Sequence, residues 1–293
     1  MVAQLFCERE RGPVARASEA IGERAWGGLV IQINKRVDDG SFGAGFPSQC
    51  PDGQGVDGCD GRGLGIALRA AIDIEWPLRV DQFPDDDLAV WDMLEFLYEN
   101  VGKPVEVDYH SFFRHYHLSF EIEEGKREFA HAINRVLGRN GIAFELTDDG
   151  LVRRLLPQML TDQLAWASFG TGDAETDRLL DATRAGIRLP GLAQRRDALE
   201  KLGDAFERLK TLEPGADKRA SAEALLDRVT CGAGFCAMIG AEAQALTAAG
   251  NTFRIRHSEA KQELLESSEQ VDYLFFRMFA LLQLLLRSSG RGG

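Results

Sequence analysis

The most apolar run of this chain, residues Val271 to Leu286, constrains its fold more than any other segment. The run contains Asp272, Arg277 and Gln283, and it is too short to cross a hydrocarbon core of about 30 Å. It therefore predicts a buried core helix, which we place at about Glu259 to Arg287. Apolar residues on nearly every face predict that this helix fills the centre of a bundle or also serves a dimer interface.

Helical periodicity also marks the residues that precede this last helix, from Asp173 onward. Residues Arg195 to Leu212 carry one apolar stripe with charged side chains opposite, which predicts an amphipathic helix. The stripe consists of Leu199, Leu202, Phe206 and Leu209. Two more helices are predicted at Ser221–Val229 and Phe235–Ala249. Four to five helices with short connections predict a helical bundle over residues 171–293.

Residues 1–165 predict a second, mainly α (α+β) domain, joined to the bundle by a linker within Pro157–Gly172. Helices are predicted at Leu64–Ile74, at Glu123–Gly138 and after the acidic triplet Asp85-Asp86-Asp87, because carboxylates favour a helix N-terminus. A helix or a strand is predicted around Trp26–Ile33.

A β-hairpin is predicted after the helix that ends near Gly138. Its strands are Ile142–Leu146 and Leu151–Arg154, and the turn residues Asp148-Asp149-Gly150 separate them. A helix followed by a hairpin is typical of a winged-helix fragment. Arg153 and Arg154 would then contact a phosphate backbone. A purely structural hairpin is the alternative.

Residues Asp38 to Gly65 are rich in Gly and Asp and predict a long loop. Gly53-x-Gly55-x-x-Gly58 matches the dinucleotide fingerprint, but that fingerprint requires a preceding strand and a helix at its end. Phe46–Pro51 does not have the pattern of a strand, so we predict no nucleotide site and no cofactor. A solvated loop is the preferred interpretation.

The histidines and cysteines are the candidate metal ligands of the chain. If Tyr116–Phe120 is extended, His115, His117 and Ser119 share one face, and a His-x-His pair on a strand can bind a metal. No third ligand is fixed by the spacing, so structural histidines are the preferred interpretation. The cysteines lack the Cys-x-x-Cys spacing of a zinc site, and an odd number of them favours a reducing cytoplasm over a disulfide framework. They are Cys7, Cys50, Cys59, Cys231 and Cys236.

The formal charge of −12 is distributed unevenly. Through Gly170 there are 17 Lys and Arg against 28 Asp and Glu, whereas 17 against 18 follow from Thr171 onward. The acidic first part repels phosphate at long range, while the nearly neutral second part can carry a local basic patch. This balance argues against a protein that coats nucleic acid nonspecifically.

The stretch Gly250–Lys261 holds the most suggestive group of catalytic side chains. On a helix, residues three and four positions apart share a face, which aligns Asn251, Arg254, His257, Ser258 and Lys261. A histidine transfers protons near neutral pH, and an arginine stabilises a phosphate whose charge grows in the transition state. His257 with Arg254 or Arg256 could therefore cleave RNA without a metal, by attack of the ribose 2′-hydroxyl. A solvated polar face is the alternative interpretation.

Several segments resemble two families that occur fused to each other. The C-terminal part resembles bacterial HEPN-type helical domains at Arg195–Lys201, Asp204–Thr211, Phe253–Glu259 and Asp272–Met278. The N-terminal part is similar to the AbiJ-type abortive-infection N-terminal domain. The segments that carry this similarity are Phe42–Pro47, Trp76–Leu78, Tyr109–Leu118 and Ile133–Arg135.

The resemblance implies an antiphage effector with an AbiJ-like domain at 1–165 and a HEPN-like bundle at 171–293. Such bundles dimerise and often cleave RNA in the shared cleft, which implies a homodimer with RNA as its partner. Catalytic members usually carry an Arg, then about four to six residues, then the His, which places the Arg near Gly250–Thr252. Arg254 and Arg256 are closer to His257 than this spacing, so an altered site in which Arg254 on the same face takes the role is expected.

Two further hypotheses remain open at this stage. The first is a non-catalytic HEPN-like dimer that binds nucleic acid or a partner protein through the same polar face, including Asn251 and Lys261. The second is a winged-helix-like regulator that binds through Arg153 and Arg154. The cysteine pattern and the shortness of the most apolar run predict a cytoplasmic protein that does not bind a membrane.

Overall fold

The computed structural model describes residues 5–156, 158–229, 232–253, 255 and 262–292, apart from the side chains of residues 158–160 and 166. The chain divides into two compact units, Met1–Leu155 and Leu156–Gly293. The division lies before the predicted boundary at 165, and the segment predicted as a linker contains a helix of the second unit. The fold is mainly helical with small antiparallel sheets, as the sequence predicts.

The first unit contains five helices and two sheets within its described residues. The helices are α1 (Phe6–Arg11), α2 (Glu23–Asp38), α3 (Gly61–Ala71), α4 (Asp87–Glu99) and α5 (Ile122–Arg139). The strands are β1 (Pro47–Gln49), β2 (Val56–Cys59), β3 (Lys103–His110), β4 (His115–Glu121), β5 (Phe144–Leu146) and β6 (Val152–Arg154). The helices predicted from periodicity and from the acidic triplet are confirmed, and so is the β5–β6 hairpin.

Carboxylate caps fix where two of these helices begin. The Asp86 side chain accepts a hydrogen bond from the backbone N–H of Leu88 at the start of α4. Asp60 accepts from the backbone N–H groups of Arg62 and Gly63 at the start of α3. Each carboxylate satisfies amide groups that have no partner within the helix, and its charge favours the helix dipole.

The first unit contains a four-stranded antiparallel sheet in the order β1-β2-β4-β3, and its strands β1 and β2 lie in the segment predicted as a loop. The prediction of a long loop over Asp38–Gly65 is wrong, because that segment contains β1, β2, a 3-10 turn at Ser41–Ala44 and the start of α3. The Gly53-x-Gly55-x-x-Gly58 sequence lies in the β1–β2 hairpin. A strand does precede it, but the chain returns as an antiparallel strand and not as the helix that a dinucleotide site requires.

The two hairpins of this sheet meet over a very short distance. Strand β2 pairs with β4 only at Val56 and Leu118, whereas β3 and β4 pair along most of their length. The first unit also has an apolar core that includes Trp26, Ile33 and Phe129. Helices α2, α4 and α5 contribute to this core, and each fully buried side chain of this size stabilises the unit by about 1.5–3 kcal/mol.

The second unit is a helical bundle over its described residues, as predicted. Its helices are α6 (Gln158–Trp166), α7 (Ala174–Gly186), α8 (Leu192–Leu209), α9 (Lys218–Asp227), α10 (Ala233–Thr252) and α11 (Ser268–Ser288). The predicted stripe on α8 is fully buried. It packs in a core with Phe275 and Phe279 of α11. No helix among the described residues is both long and apolar enough to span a bilayer.

The last helix begins later than predicted. Residues Gln262–Glu266 are not helical, and the Ser267 side chain accepts a hydrogen bond from the backbone N–H of Gln270. Gln270 in turn accepts from the Ser267 backbone, which completes a capping box. The predicted start near Glu259 is therefore wrong. The capping box sets the start of the helix at Ser267, a boundary that apolar periodicity alone does not indicate.

Candidate metal centre

Five potential metal ligands lie together at one end of the four-stranded sheet. Cys50 follows β1, and Asp52 lies two residues later in the turn toward β2. His110 ends β3 and His115 begins β4, and these two residues face each other in the strand register. His117 lies two residues along β4, on the same face as His115. The fold thus adds Cys50, Asp52 and His110 to the His-x-His pair that the sequence singled out.

The ligand atoms of these residues form two overlapping groups. Cys50, His115 and His117 place one ligand atom each within 4.8 Å of one another, and Cys50, Asp52 and His110 do the same. The three imidazole rings have centroids 5.5 to 5.7 Å apart. Cys50 belongs to both groups and therefore lies at the centre of the cluster.

The histidines differ in whether their ring nitrogens have hydrogen-bond partners. His110 Nδ1 accepts from the backbone N–H of Phe113 at 3.3 Å, and its Nε2 lies 2.9 Å from Asp52 Oδ2. Since Nδ1 is the acceptor, we place the proton on Nε2, where it is donated to Asp52. The Nε2 atoms of His115 and His117 are buried without a hydrogen-bond partner. A buried polar atom without a partner is costly, and a metal ion would remove that cost.

The Cys50 thiol is shielded from solvent, with 2% of the residue exposed, and it donates a hydrogen bond to the Asp52 carboxylate. Burial, followed by this hydrogen bond, raises the pKa of Cys50. The same hydrogen bond, followed by one from the backbone N–H of Gln54, lowers the pKa of Asp52. A metal ion that binds Cys50 must therefore displace the thiol proton, because the thiolate is the ligand.

A glycine allows the β1–β2 turn to approach the histidines. A Cβ atom at Gly55 would lie 2.6 Å from His117 Cγ. The backbone of the turn is anchored beside it, because the Cys50 N–H donates to the Gly55 carbonyl at 2.8 Å. The absence of a side chain at Gly55 therefore allows Cys50 to lie close to His117, which belongs to the other hairpin.

The remaining cysteines lie outside this cluster or outside the described residues. Cys7 and Cys59 are free thiols. Burial, followed by the charge of Asp60, raises the pKa of Cys59 to about 11. Cys236 is disulfide-bonded, which the cysteine spacing did not predict.

The residues predicted from sequence to act on RNA are not brought together within the described part of the chain. Asn251 lies in the second unit and is the penultimate residue of α10. Arg254, Arg256, His257 and Lys261 lie outside the described residues. Helix α10 ends at Thr252, so the described residues do not continue the helical face on which Asn251 was placed.

The two arginines of the β5–β6 hairpin are engaged within the first unit. Arg153 forms an ion pair with Asp149 at 2.6 Å. The Arg154 side chain is 10% exposed and forms an ion pair with Glu19. Of the two, Arg153 is the one whose guanidinium is accessible to an external phosphate.

Comparison of the chain with known protein families, with curated proteins and with solved structures found no match.

Proposed function

We propose that the first unit binds a transition-metal ion, zinc, through Cys50, His115 and His117. The observation that carries the proposal is their close grouping around two buried Nε2 atoms without hydrogen-bond partners. A thiolate and two imidazoles suit zinc better than magnesium or calcium, which prefer oxygen ligands. A thiolate ligand also requires a reduced Cys50, and Cys50 is a free thiol in this structure.

The ion joins the two hairpins of the sheet. Cys50 comes from the β1–β2 hairpin, while His115 and His117 come from the β3–β4 hairpin. The backbone pairing between those hairpins is limited to Val56 and Leu118. A metal that bridges them therefore adds a cross-link where the sheet has the fewest hydrogen bonds.

Zinc content tests this proposal directly. Wild-type protein loaded with zinc and passed over a desalting column should retain roughly one ion per chain. His117→Ala should retain far less, because one imidazole ligand is lost. His131→Ala is the matched control, since His131 is an exposed residue of α5 outside the cluster, and it should retain as much zinc as wild type. Wild-type stoichiometry in His117→Ala and Cys50→Ala alike would rule out this site.

We also propose, on a separate observation, that the second unit acts on RNA. Helices α8, α9 and α10 line a groove of about 600 Å³. Its polar lining includes Lys210, Arg219, Glu223, Gln244, Thr247 and Asn251, and Arg219 forms an ion pair with Glu223 at 3.0 Å. Asn251 belongs to the polar stretch in which His257 acts with Arg254 or Arg256. The fine assignments to a HEPN-like homodimer and to an antiphage effector rest on the sequence resemblance.

Expression in a bacterial host tests this second proposal. Wild-type protein should slow growth and fragment total RNA without a metal requirement, whereas His257→Ala at the same protein level should do neither. His131→Ala again serves as the matched control and should behave as wild type. RNA that is bound but left intact by both proteins would favour the non-catalytic dimer. RNA binding that is lost only in Arg153→Glu/Arg154→Glu would favour the winged-helix-like regulator.

A further inference from the structure

We infer that the metal ion held by Cys50, His115 and His117 keeps a fourth coordination position for a small exogenous ligand. This inference rests on the proposed zinc site and concerns what that site binds. Among the described residues, the potential ligands form groups of three and no group of four. Three protein ligands with an exchangeable fourth position are typical of catalytic zinc sites, whereas structural zinc sites have four protein ligands.

Asp52 and His110 are the two side chains close enough to compete for that position, and both are already engaged. His110 uses both ring nitrogens, one toward the Phe113 backbone and one toward Asp52. Asp52 receives hydrogen bonds from His110 and from the Gln54 backbone. This pair therefore flanks the ion and can hold a bound ligand by hydrogen bonds, with no need to coordinate the metal itself.

The fourth coordination position of the metal ion faces the more solvent-accessible side of the cluster. Cys50 is almost fully buried, and the His117 side chain is 12% exposed. The side chains of Asp52 and His110 are 21% and 24% exposed. A ligand thus reaches the ion from the side of the Asp52–His110 pair, while Cys50 holds the ion from the buried side.

The charges around the ion favour a neutral ligand over an anion. A Cys50 thiolate and the Asp52 carboxylate together balance the charge of a divalent ion. Asp57 adds a further negative potential at Cys50. An anion that binds at this position is therefore attracted only weakly by the metal ion, and the carboxylates repel it.

An aromatic ring beside the cluster favours a planar ligand. Phe113 stacks on His110 with ring centroids 4.9 Å apart, and it lies nearly parallel to His115 at 6.0 Å. Phe113 is itself 39% exposed to solvent. The chemical class that fits is a small, neutral, planar molecule with one nitrogen or carbonyl oxygen lone pair for the metal and a ring face for Phe113.

The test uses wild-type protein loaded with cobalt(II), whose visible absorption depends on its coordination. Imidazole at a pH where it is neutral should change the spectrum in a saturable way, and thiocyanate should do so only at higher concentration. Phe113→Ala should bind imidazole about two- to tenfold more weakly, the factor that a lost aromatic contact produces. Phe112→Ala is the matched control and should bind imidazole as wild type does, because the Phe112 ring packs edge-on against Phe113 and is 81% exposed.

Cobalt content, measured on every sample after the added ligand is removed, separates the two levels of the proposal. No bound cobalt in wild type would overturn both the metal site and this inference. Bound cobalt whose spectrum imidazole leaves unchanged would overturn the inference alone and indicate a closed structural site. Cobalt that is lost from the protein on imidazole addition would also overturn it, because imidazole would then displace protein ligands instead of filling an open position.

Discussion

Removal of zinc from the loaded protein should lower the midpoint of thermal unfolding of the first unit by roughly 5–10 °C. A ligand that binds only the folded state at about 100 times its dissociation constant stabilises that state by about 2.7 kcal/mol. In a unit of this size, each kcal/mol shifts the midpoint by about 2–4 °C. The measurement is calorimetry of the same preparation before and after chelation.

The loss of stability should be largest where the two hairpins meet. Cys50 and the β1–β2 turn reach the other hairpin through Gly55, while the backbone contributes the single pair Val56 and Leu118. Hydrogen exchange should therefore accelerate in β1, β2 and their turn on chelation, and much less in α2 and α4, which pack in the apolar core.

His117→Ala supplies the control for this experiment. Because one ligand is missing, chelation should leave both its unfolding midpoint and its exchange pattern unchanged. His131→Ala should respond to chelation as wild type does. A wild-type midpoint that does not depend on zinc, in protein shown to contain the ion, would mean that the metal does not stabilise this unit.

Elements with local signals were predictable from the sequence. The acidic triplet before α4, the apolar side of α5 and the stripe on α8 each depend on side chains within a few turns of one helix. The hairpin β5–β6 was equally clear, because its strands are joined by a short turn that ends at Gly150. Patterns of this kind need no knowledge of distant parts of the chain.

The four-stranded sheet was missed because its first two strands carry no comparable local signal. Strands β1 and β2 have three and four residues, and they are rich in small and polar side chains. They are strands because they pair with each other and with β4, which is distant in sequence. Pairing with a distant partner therefore decides their conformation, and the Gly and Asp content alone suggested a loop.

The candidate metal centre was half predictable for the same reason. Alternation along a strand correctly placed His115 and His117 on one face. The pairing of His115 with His110 follows from the short turn between β3 and β4. The spacing of these two histidines in the sequence could have indicated that pairing. Cys50 and Asp52 join them only through the pairing of β2 with β4, so the third ligand could not be identified from spacing along the chain.

Gly125→Ala should destabilise the first unit by about 3 kcal/mol or more, at the upper end of what overpacking costs. Gly125 lies in the first turns of α5, where a Cβ atom would lie 2.2 Å from the Lys103 backbone nitrogen and 2.3 Å from the Gly102 carbonyl carbon. Backbone atoms cannot move aside as a flexible side chain can. The helix and the start of β3 must therefore separate.

Gly138→Ala in the same helix is the matched control. A Cβ atom there meets no other atom within 4 Å, so the substitution should stabilise the unit by about 0.5–1 kcal/mol through helix propensity. Urea unfolding followed by tryptophan fluorescence reports mainly on this unit, since three of the four tryptophans, Trp26, Trp76 and Trp91, belong to it. Equal midpoints for Gly125→Ala and wild type would contradict the predicted clash.

The same pair of variants separates the clash from the metal centre. A Cβ atom at Gly125 would meet the first residue of β3, whereas the cluster member on that strand, His110, lies at its other end. The folded fraction of Gly125→Ala should therefore still bind zinc, and saturating zinc should raise its free energy of unfolding by the same increment as in wild type. A smaller increment would mean that displacement at the start of β3 is transmitted along the strand to the ligands.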